Sequence, residues 1–328
     1  HLIEAKLNNH HPARTKVKVT DGQTATAALE LKKVGGYLDL TVIPTRASVY
    51  LVNDYIPENQ RKNIYRRPGL YRTIVSCPGY LQKETYIDIK DGQRISRTIR
   101  LEKIVATPGR PFTNSIGMQM IWVPAGSFRD PLFSENNQYR TINITSGYWI
   151  GKYEVTQVQW NKLMGSNPSE RVGSDIPVHK VTWSEAADFC KKLSLREAAT
   201  YKLPTTAQWI YAARSGGTQP RLYGNEDEIG WHANNSNLTL QRVGQKKPNA
   251  WGMYDVLGNA SEWAEDSMDY ISGGSLTDPF CKSHPAHRNI KASLGSGVGW
   301  IPSSFKDMYV SVQERDERKF CMGLRVIR

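Results

Sequence analysis

The cysteines are the side chains of this sequence with the widest range of chemistry, and their spacing limits what they can do. Cys77, Cys190, Cys281 and Cys321 form neither a Cys-x-x-Cys pair nor the ligand spacing of a zinc finger. One disulfide could form and none is required. Isolated thiols are more often small buried apolar groups than nucleophiles. The spacing alone therefore predicts no zinc finger and no redox pair.

Two histidines lie close to one of these cysteines, in the segment CKSHPAHRN that contains Cys281, His284 and His287. Zinc takes four ligands in a tetrahedron, and this segment offers three of them at a spacing unlike any zinc-finger pattern. We interpret the segment as a polar loop. The sequence also has no glycine-rich phosphate loop, no Gly-x-Ser-x-Gly turn and no His-Glu-x-x-His helix, so none of these sites is predicted.

The composition is that of an ordinary globular protein, with 39% hydrophobic and 23% charged residues among 328. This length favours two domains without fixing the number. No apolar run reaches the roughly 18–20 residues that cross a bilayer, so no transmembrane segment is predicted. Because His1 is not a natural initiator, we expect that an upstream segment has been removed, and with it any targeting signal.

The net charge of +12 would suit an acidic partner such as nucleic acid, an anionic glycan or a membrane surface. The lysines and arginines are instead spread along the whole chain. Their densest cluster, residues 315–328, is interrupted by Asp316 and Glu317. A nucleic-acid-binding face should be a coherent basic stripe. We therefore predict no nucleic-acid partner.

An internal repeat organises the first third of the chain, because residues 1–33 align with residues 71–103. Both stretches have alternating apolar residues, then Asp-Gly-Gln, then a second alternating run that ends in Leu-x-Lys. Alternation on both sides of an Asp-Gly turn predicts a β-hairpin. We assign residues 1–35 to the second half of one repeat and residues 36–104 to a complete one, and we expect the parent protein to continue before His1.

The complete repeat consists of strand-like segments separated by Pro-Gly turns and shows no helical period. This pattern predicts a small all-β sandwich. In frame and spacing the segment resembles the PEGA family, although Thr45-Arg46-Ala47 replaces the Glu-Gly-Ala core of the family motif. The resemblance implies an extracytoplasmic spacer or adhesive module.

A linker rich in Pro, Gly and Thr, residues 105–117, precedes a region of different character, residues 118–328. Three Ser/Thr-x-x-Glu/Gln capping boxes predict helices that begin at Thr156, Thr182 and Thr205. We expect the first helix to end at Gly165 and the third at Gly216-Gly217, with short strands such as MIWVPAGSF (120–128) around them. Few helices among short strands and loops predict an irregular α+β domain.

Nine motifs follow in fixed order from Met120 to the C-terminus: MIWVPAGSF, YWIGKYEVTQVQW, PVHKVTWSEAADFC, YKLPTTAQWIYAARSGG, YGNE, HAN, PNAWGMYDVLGNASEWAED, SGGS and GLRVIR. This series resembles the formylglycine-generating-enzyme (sulfatase-modifying factor) family. The resemblance implies a variant of the C-type lectin fold. That fold serves sulfatase activation, sulfoxide synthesis, secretion and motility accessory roles and hypervariable receptors, so it says more about structure than about function.

The same resemblance implies a structural calcium site in the segment YDVLGNASE. Its ligands would be the carboxylates of Asp255 and Glu262 and the carbonyls of Gly258 and Ala260. Calcium is a hard cation that takes several oxygens at about 2.3–2.6 Å, and a turn containing glycine can direct carbonyls inward. In the alternative interpretation, the two carboxylates only cap turns.

A second calcium site of the family would use Asn234 and the carbonyl of Asn235. Its acidic half is missing here, because residues 236–243 contain no carboxylate. We leave open whether this second site binds an ion.

In the active family, two cysteines after SGGS bind copper(I), which suits soft thiolate ligands. Asp278 and Ser283 stand at those two positions. One thiol cannot supply two-sulfur ligation, so the resemblance implies that copper and the oxidase activity have been lost. Cys281 lies between the two positions, and its alternatives are a disulfide with Cys321, two buried thiols, or a rearranged copper site formed with Cys321.

The long loop region 276–318 is the expected ligand face. Its candidate residues are Asp278, Arg288, Trp300 and Tyr309, because aromatic and arginine anchors dominate binding energy. Our first hypothesis is a non-catalytic recognition or accessory protein that binds a protein or a glycan. The alternatives are a copper-dependent oxidase acting on a thiol and a purely structural module. The PEGA-like repeats and a chemistry that tolerates disulfides and uses calcium indicate the periplasm or the cell surface of a bacterium.

Overall fold

A computed structural model describes residues 2–18, 26–135, 138–217, 224–267, 276–280, 289–299 and 311–328. The chain divides into two compact units, His1–Lys103 and Ile104–Arg328. None of the helices within the described ranges is both long enough and apolar enough to span a membrane.

The first unit contains β-strands and a short 3-10 helix at Glu58–Gln60 in its described part. Its strands are β1 (Leu2–Ala5), β2 (Ala13–Lys16), β3 (Gly36–Ile43), β4 (Ser48–Leu51), β5 (Asp54–Tyr55), β6 (Ile64–Arg66), β7 (Gly69–Ser76), β8 (Lys83–Ile89) and β9 (Arg94–Arg100). They form a β1-β2 pair, a sheet in the order β6-β3-β9 and a sheet in the order β5-β4-β7-β8.

Alternating side chains explain how these two larger sheets share a core. In β3, Leu38, Leu40 and Val42 are buried while the residues between them are exposed or half-buried, which is the period of a strand with one face covered. From the other sheet, Val49 and Val75 contribute buried side chains to the same cluster.

The internal repeat has a matching strand register. Leu2 pairs with Lys16 in the β1–β2 hairpin, and Arg72 pairs with Tyr86 in the β7–β8 hairpin, at the same offset in the alignment. An isolated bridge from the loop of each hairpin agrees as well, joining His10 to Lys33 and Tyr80 to Lys103. The two sequences therefore fold into the same hairpin, but it is not the predicted one. In the complete repeat, β8 and β9 lie on either side of the Asp-Gly turn and belong to different sheets, because β8 pairs with β7 and β9 pairs with β3.

The second unit contains five helices and twelve strands within its described residues. They are, in chain order, β10 (Phe112–Thr113), β11 (Gln119–Val123), β12 (Gly126–Glu135), β13 (Gln138–Ile144), β14 (Tyr148–Gly151), α1 (Gln157–Met164), α2 (Trp183–Glu197), α3 (Thr206–Ala213), α4 (Glu226–Ile229), β15 (Gly230–Trp231), α5 (Ala233–Ser236), β16 (Leu257–Gly258), β17 (Ser261–Trp263), β18 (Leu276–Thr277), β19 (Ile290–Leu294), β20 (Ser311–Glu314) and β21 (Met322–Gly323). The sheets have the orders β10-β11-β14, β12-β13-β18, β15-β16 and β20-β19-β17-β21. The mixture of short strands and few helices agrees with the predicted α+β class.

The three predicted capping boxes are present at the starts of the three longer helices. Thr156, Thr182 and Thr205 each accept a backbone N–H with the side chain, and the Gln or Glu three residues later accepts the N–H of the capping residue. Each box therefore satisfies two N–H groups that have no partner within the helix. Gly165 ends α1 in the left-handed conformation, as expected.

Three details differ from the sequence-based expectations. α3 ends at Ala213, before the glycine pair predicted to end it, and the cap N–H of Arg214 already bonds back to Ile210. The segment MIWVPAGSF is divided between β11 and β12, because the chain turns between Val123 and Gly126. The predicted linker 105–117 is in part an element of the second unit, since Phe112 pairs with Met120 and the apolar Ile116 is completely buried.

Candidate functional site

A cavity of about 450 Å³ lies in the second unit where several loops meet. Its described lining residues are Thr145, Ser146, Lys202, Thr205, Gln208, Glu265, Asp278 and Phe280. A volume of this size falls within the range of small-molecule and side-chain pockets. One of the four predicted ligand-binding residues, Asp278, is therefore part of a cavity.

Parallel pairing of two strands brings one wall of the cavity together. β13 and β18 are parallel, with Ile142 opposite Leu276 and Asn143 opposite Thr277. Since parallel strands end at the same edge of a sheet, the residues that follow them, Thr145 and Asp278, become neighbours.

Asp278 links the two loops that follow those strands. Its backbone N–H donates to the carbonyl of Asn143 at 2.8 Å, and its Oδ1 accepts the N–H of Thr145 at 2.9 Å. Its Oδ2 accepts the hydroxyl of Thr145. The residue lies in the left-handed region at φ 44°, a conformation that Asp tolerates better than most residues. The carboxylate therefore positions a loop.

The start of α3 forms a second wall. Tyr148 donates its hydroxyl to the carbonyl of Gln208 at 2.5 Å, which anchors this wall to β14. Lys202 is held by two backbone hydrogen bonds to Ile327, of 3.0 and 2.8 Å, while its side chain is exposed. The cavity thus has a hydrogen-bonded backbone with an exposed cationic side chain at its edge.

Glu265 and Phe280 complete the set of functional groups. The backbone N–H of Glu265 donates to Pro204 at 2.9 Å, which fixes this half-buried residue next to α3. Phe280 exposes 46% of its surface. Hydroxyls, an amide, two opposite charges and an exposed ring can recognise a ligand through hydrogen bonds and ring contact. None of the described lining residues is a cysteine.

The other predicted ligand-face residues, Arg288, Trp300 and Tyr309, lie outside the described residues. The same holds for Cys281 and Ser283, so the disulfide from Cys281 to Cys321 stays a prediction. Cys321 carries a free, half-buried thiol with its Sγ 3.9 Å from the Oγ of Ser261.

Cys190 is buried in α2, as expected for a structural residue. Its burial raises the pKa of the thiol far above the ordinary value, which favours the unreactive protonated form.

Three of the four carboxylate oxygens predicted to bind calcium accept hydrogen bonds from other protein groups. Both oxygens of Glu262 accept from the guanidinium of Arg325 at 2.8–3.0 Å, and Oε2 also accepts from Trp209 Nε1 at 2.5 Å. Asp255 Oδ2 accepts the N–H of Gly244 at 2.7 Å. The described residues contain no group of three or more His, Cys, Asp or Glu side chains that could hold a metal ion. The Glu262 carboxylate and one oxygen of Asp255 are therefore held by protein donors, and calcium binding in this segment stays a prediction.

Glu154 is a buried acid that the sequence did not single out. It is buried, and its carboxylate accepts from Asn259 Nδ2 and from the N–H of Ala260, both at 2.8 Å. Burial raises the pKa of Glu154 well above its usual range, and the nearby Asp255 and Glu262 carboxylates raise it further. Burial also raises the pKa of Asp255 to about 6.

The residues of the second predicted calcium site, Asn234 and Asn235, lie in the short helix α5. The Oδ1 of Asn235 accepts the N–H of His232 at 2.9 Å, and its Nδ2 donates to Asp227 and to the carbonyl of Gly230 at 3.2 and 3.1 Å. Asn234 is exposed. Asn235 therefore fixes the backbone around α5 through its side chain.

The cavity residues missed by sequence analysis had weak signals. Thr205 and Gln208 were recognised only as a capping box, although a helix start also directs polar side chains towards a neighbouring loop. Phe280 follows Asp278 closely in the sequence, and an aromatic ring next to a candidate ligand residue could have been included in the predicted face.

Comparison with known protein families gives a match for residues 109–328. These residues match the sulfatase-modifying factor enzyme 1-like domain. The Chaperone protein LppX of Paenibacillus barcinonensis is 29% identical over 246 residues, covering 58% of this chain and 81% of that protein.

Two further relatives are matched over smaller shares. The formylglycine-generating enzyme of Streptomyces coelicolor is 28% identical over 151 residues, covering 40% of this chain and 45% of the enzyme. The Inactive C-alpha-formylglycine-generating enzyme 2 of Bos taurus is 25% identical over 208 residues, covering 55% of this chain and 63% of that protein.

Solved structures have the same fold. Treponema denticola variable protein 1 superposes with a TM-score of 0.57 at 25% identity, covering 67% of this chain and 99% of its own. PvdO from Pseudomonas aeruginosa superposes with a TM-score of 0.59 at 20% identity, covering 68% of this chain and 99% of its own. Over residues 109–328, which are two thirds of its length, the chain belongs to the sulfatase-modifying factor enzyme 1-like domain family.

Proposed function

We propose that this chain is a non-catalytic accessory protein whose second unit recognises a protein partner through the cavity beside Asp278. The observation that carries the proposal is the role of Asp278. The residue stands where the resemblance expects the first copper-binding cysteine, and its carboxylate instead holds Thr145 in the wall of the cavity. An aspartate at this position has no thiolate to offer copper.

The similarities of the chain support an accessory role. A relative with 29% identity that is covered over 81% of its length is named a chaperone, and one with 25% identity is named an inactive enzyme. Active formylglycine-generating enzymes are similar as well, but over a smaller share of both chains. Because relatives of this chain include both active and inactive enzymes, family membership does not decide its function, and the residues of the site must do so.

The chemistry of the cavity favours a peptide segment as its occupant. An exposed ring at Phe280 can anchor an apolar side chain, while the hydroxyls and the amide on the two walls can bond a peptide backbone. Lys202 and Glu265 offer both charges, which suits a protein surface of mixed polarity. A glycan is the competing ligand class.

The same proposal extends to the architecture and the location. We assign the second unit to the C-type lectin fold variant and the first unit to the PEGA-like β-sandwich type, which would serve as a stalk for the recognition domain. A periplasmic or cell-surface location suits such a stalk. We propose no copper site in this chain.

Panning a displayed library of random peptides against the full chain tests the proposal. We expect wild-type protein to enrich a family of related peptides, and Phe280→Ala to lose that enrichment, since aromatic anchors contribute a large part of binding energy. Phe320→Ala is a matched control, because Phe320 exposes 43% of its surface and contacts His179, away from the cavity lining.

Two results would contradict the proposed protein ligand. One is the absence of any enriched peptide family while a glycan array gives binding that depends on Phe280. The other is equal enrichment by wild type and Phe280→Ala. Tight copper(I) binding that depends on cysteine would favour the oxidase alternative, which needs two thiolates.

A further inference from the structure

Arg325 is a fully buried arginine, and its position connects three segments of the second unit. It follows β21, and its guanidinium donates to the carbonyl of Gly151 at 2.9 Å and to the carbonyl of Tyr254 at 2.9 Å. The same group forms three contacts of 2.8–3.0 Å with Glu262. One side chain therefore ties the end of β14 and the middle of β17 to the residue that precedes Asp255.

The geometry of these contacts is that of a cation in an oxygen site. Carbonyl and carboxylate oxygens surround the guanidinium, as they would surround a bound cation. An arginine side chain keeps its charge at every pH that proteins experience, and its planar fork matches a carboxylate through two parallel bonds. Arg325 therefore provides a permanent positive charge in direct contact with the Glu262 carboxylate.

The remaining side chains of the segment use protein donors. Glu154 accepts from Asn259 and Ala260, and Asp255 Oδ2 accepts from Gly244. Asp255 Oδ1 is the buried carboxylate oxygen of this group without a hydrogen-bond partner in the described part of the chain. Calcium takes six to eight oxygen ligands, and one unused carboxylate oxygen together with the two predicted carbonyls of Gly258 and Ala260 falls short of that number.

We infer that Arg325 is the built-in cation of the segment 254–262 and that this segment folds without a metal ion. The inference concerns the residues that the family resemblance assigns to calcium, and it does not depend on the ligand of the cavity. It changes the role of Glu262 from a metal ligand to the buried partner of a guanidinium.

Calorimetric titration of calcium into the EDTA-treated full chain tests the metal half of the inference. We expect no binding heat up to millimolar calcium, and the same melting temperature in EDTA as in calcium. Calcium binding that is lost in Asp255→Asn would overturn the inference, because Asp255 is a predicted calcium ligand.

Two substitutions test the role of the arginine. Arg325→Met leaves Glu262 as an unpaired buried charge, so we expect the melting temperature of the second unit to fall by roughly 10 °C in EDTA and in calcium alike. Adding Glu262→Gln removes that charge while an amide oxygen can still accept from Trp209 Nε1. The double variant should therefore melt at a higher temperature than Arg325→Met alone.

Arg318→Met is the matched control for the loss of an arginine, because Arg318 forms an exposed ion pair with Glu185. We expect it to change the melting temperature by no more than about 2 °C. If Arg325→Met itself does not fold, Arg325→Lys, which keeps the charge and loses the fork, should melt below wild type and at the same temperature in EDTA as in calcium. Restoration of the Arg325→Met melting temperature by calcium would contradict the inference, because a metal would then replace the guanidinium.

Discussion

The Asp278 carboxylate accepts both the N–H and the hydroxyl of Thr145, although the two residues are 133 positions apart in the sequence. The contact joins the ends of the parallel strands β13 and β18 at the edge of the cavity. A residue that replaces a predicted copper ligand thus maintains the shape of the cavity. Asp278 therefore has a structural role at the end of β18.

This pair can be tested by stability measurements. Asp278→Gly removes both hydrogen bonds without straining the left-handed backbone, and we expect it to cost about 1–2 kcal/mol. Thr145→Val removes the hydroxyl bond and should cost about 1 kcal/mol. Because the two variants remove one bond in common, the double variant should cost less than the sum, as measured by urea unfolding. Strict additivity would mean that the two side chains do not interact.

A second prediction concerns His179, which is buried and holds a loop. Its Nε2 accepts the N–H of Glu170 at 3.1 Å, and its Nδ1 lies 3.2 Å from the carbonyl of Pro177, to which it donates when it carries the proton. This arrangement needs the neutral ring with its proton on Nδ1, since a protonated Nε2 cannot accept. Burial lowers the pKa of His179 below its ordinary value.

The sign of the pH effect follows from that direction. The unfolded chain binds a proton at His179 below about pH 6.5, and the folded chain binds it only at lower pH. The contribution to stability is therefore complete above that pH and is lost as the pH falls through the folded pKa. We expect His179→Gln, which keeps an acceptor and does not titrate, to lose less stability than wild type between pH 7.5 and 5. Parallel losses in urea unfolding would show that His179 does not couple to folding.

A third prediction has the opposite sign. Glu197 is buried at the end of α2, where its Oε1 accepts the N–H of Ser115 at 3.1 Å and also the hydroxyl of Ser115. Its Oε2 has no hydrogen-bond partner among the described residues. Burial raises the pKa of Glu197 above the value in an unfolded chain, so stability is highest when both states are protonated and is lost as the pH rises through the folded pKa.

Glu197→Gln removes this cost and keeps the acceptor for Ser115. We expect the variant to be more stable than wild type at pH 7.5, with a difference that becomes smaller as the pH is lowered to 4.5. Thermal unfolding at the two pH values measures the difference. A variant that is less stable than wild type at pH 7.5 would mean that the ionised carboxylate is favourable in this site.

Local structure could be predicted from the sequence where a few neighbouring residues decide it. The capping boxes at Thr156, Thr182 and Thr205 were found because each needs only residues that are three apart. The hairpin predicted around the Asp-Gly turn is wrong in the complete repeat, because alternation identifies β8 and β9 as strands without deciding which strands they pair with.

The contacts around the predicted calcium segment 254–262 depend on residues that are far apart in the sequence. Glu262 meets Arg325 across 63 positions, and the motif around Glu262 gave no indication that an arginine of the C-terminal motif would occupy its carboxylate. Glu154 was missed for the same reason, because burial among other acids is a property of the folded chain. A resemblance identifies which residues belong to a segment, and packing decides what those residues bind.

The most direct test of the proposed function is the affinity of one enriched peptide, labelled and measured by fluorescence anisotropy against the full chain. We expect Phe280→Ala to weaken binding by roughly thirty-fold, because the loss of an aromatic anchor costs about 2 kcal/mol of binding free energy. We expect Phe320→Ala to leave the Kd unchanged. Equal Kd values for wild type and Phe280→Ala would contradict the assignment of this cavity as the recognition site.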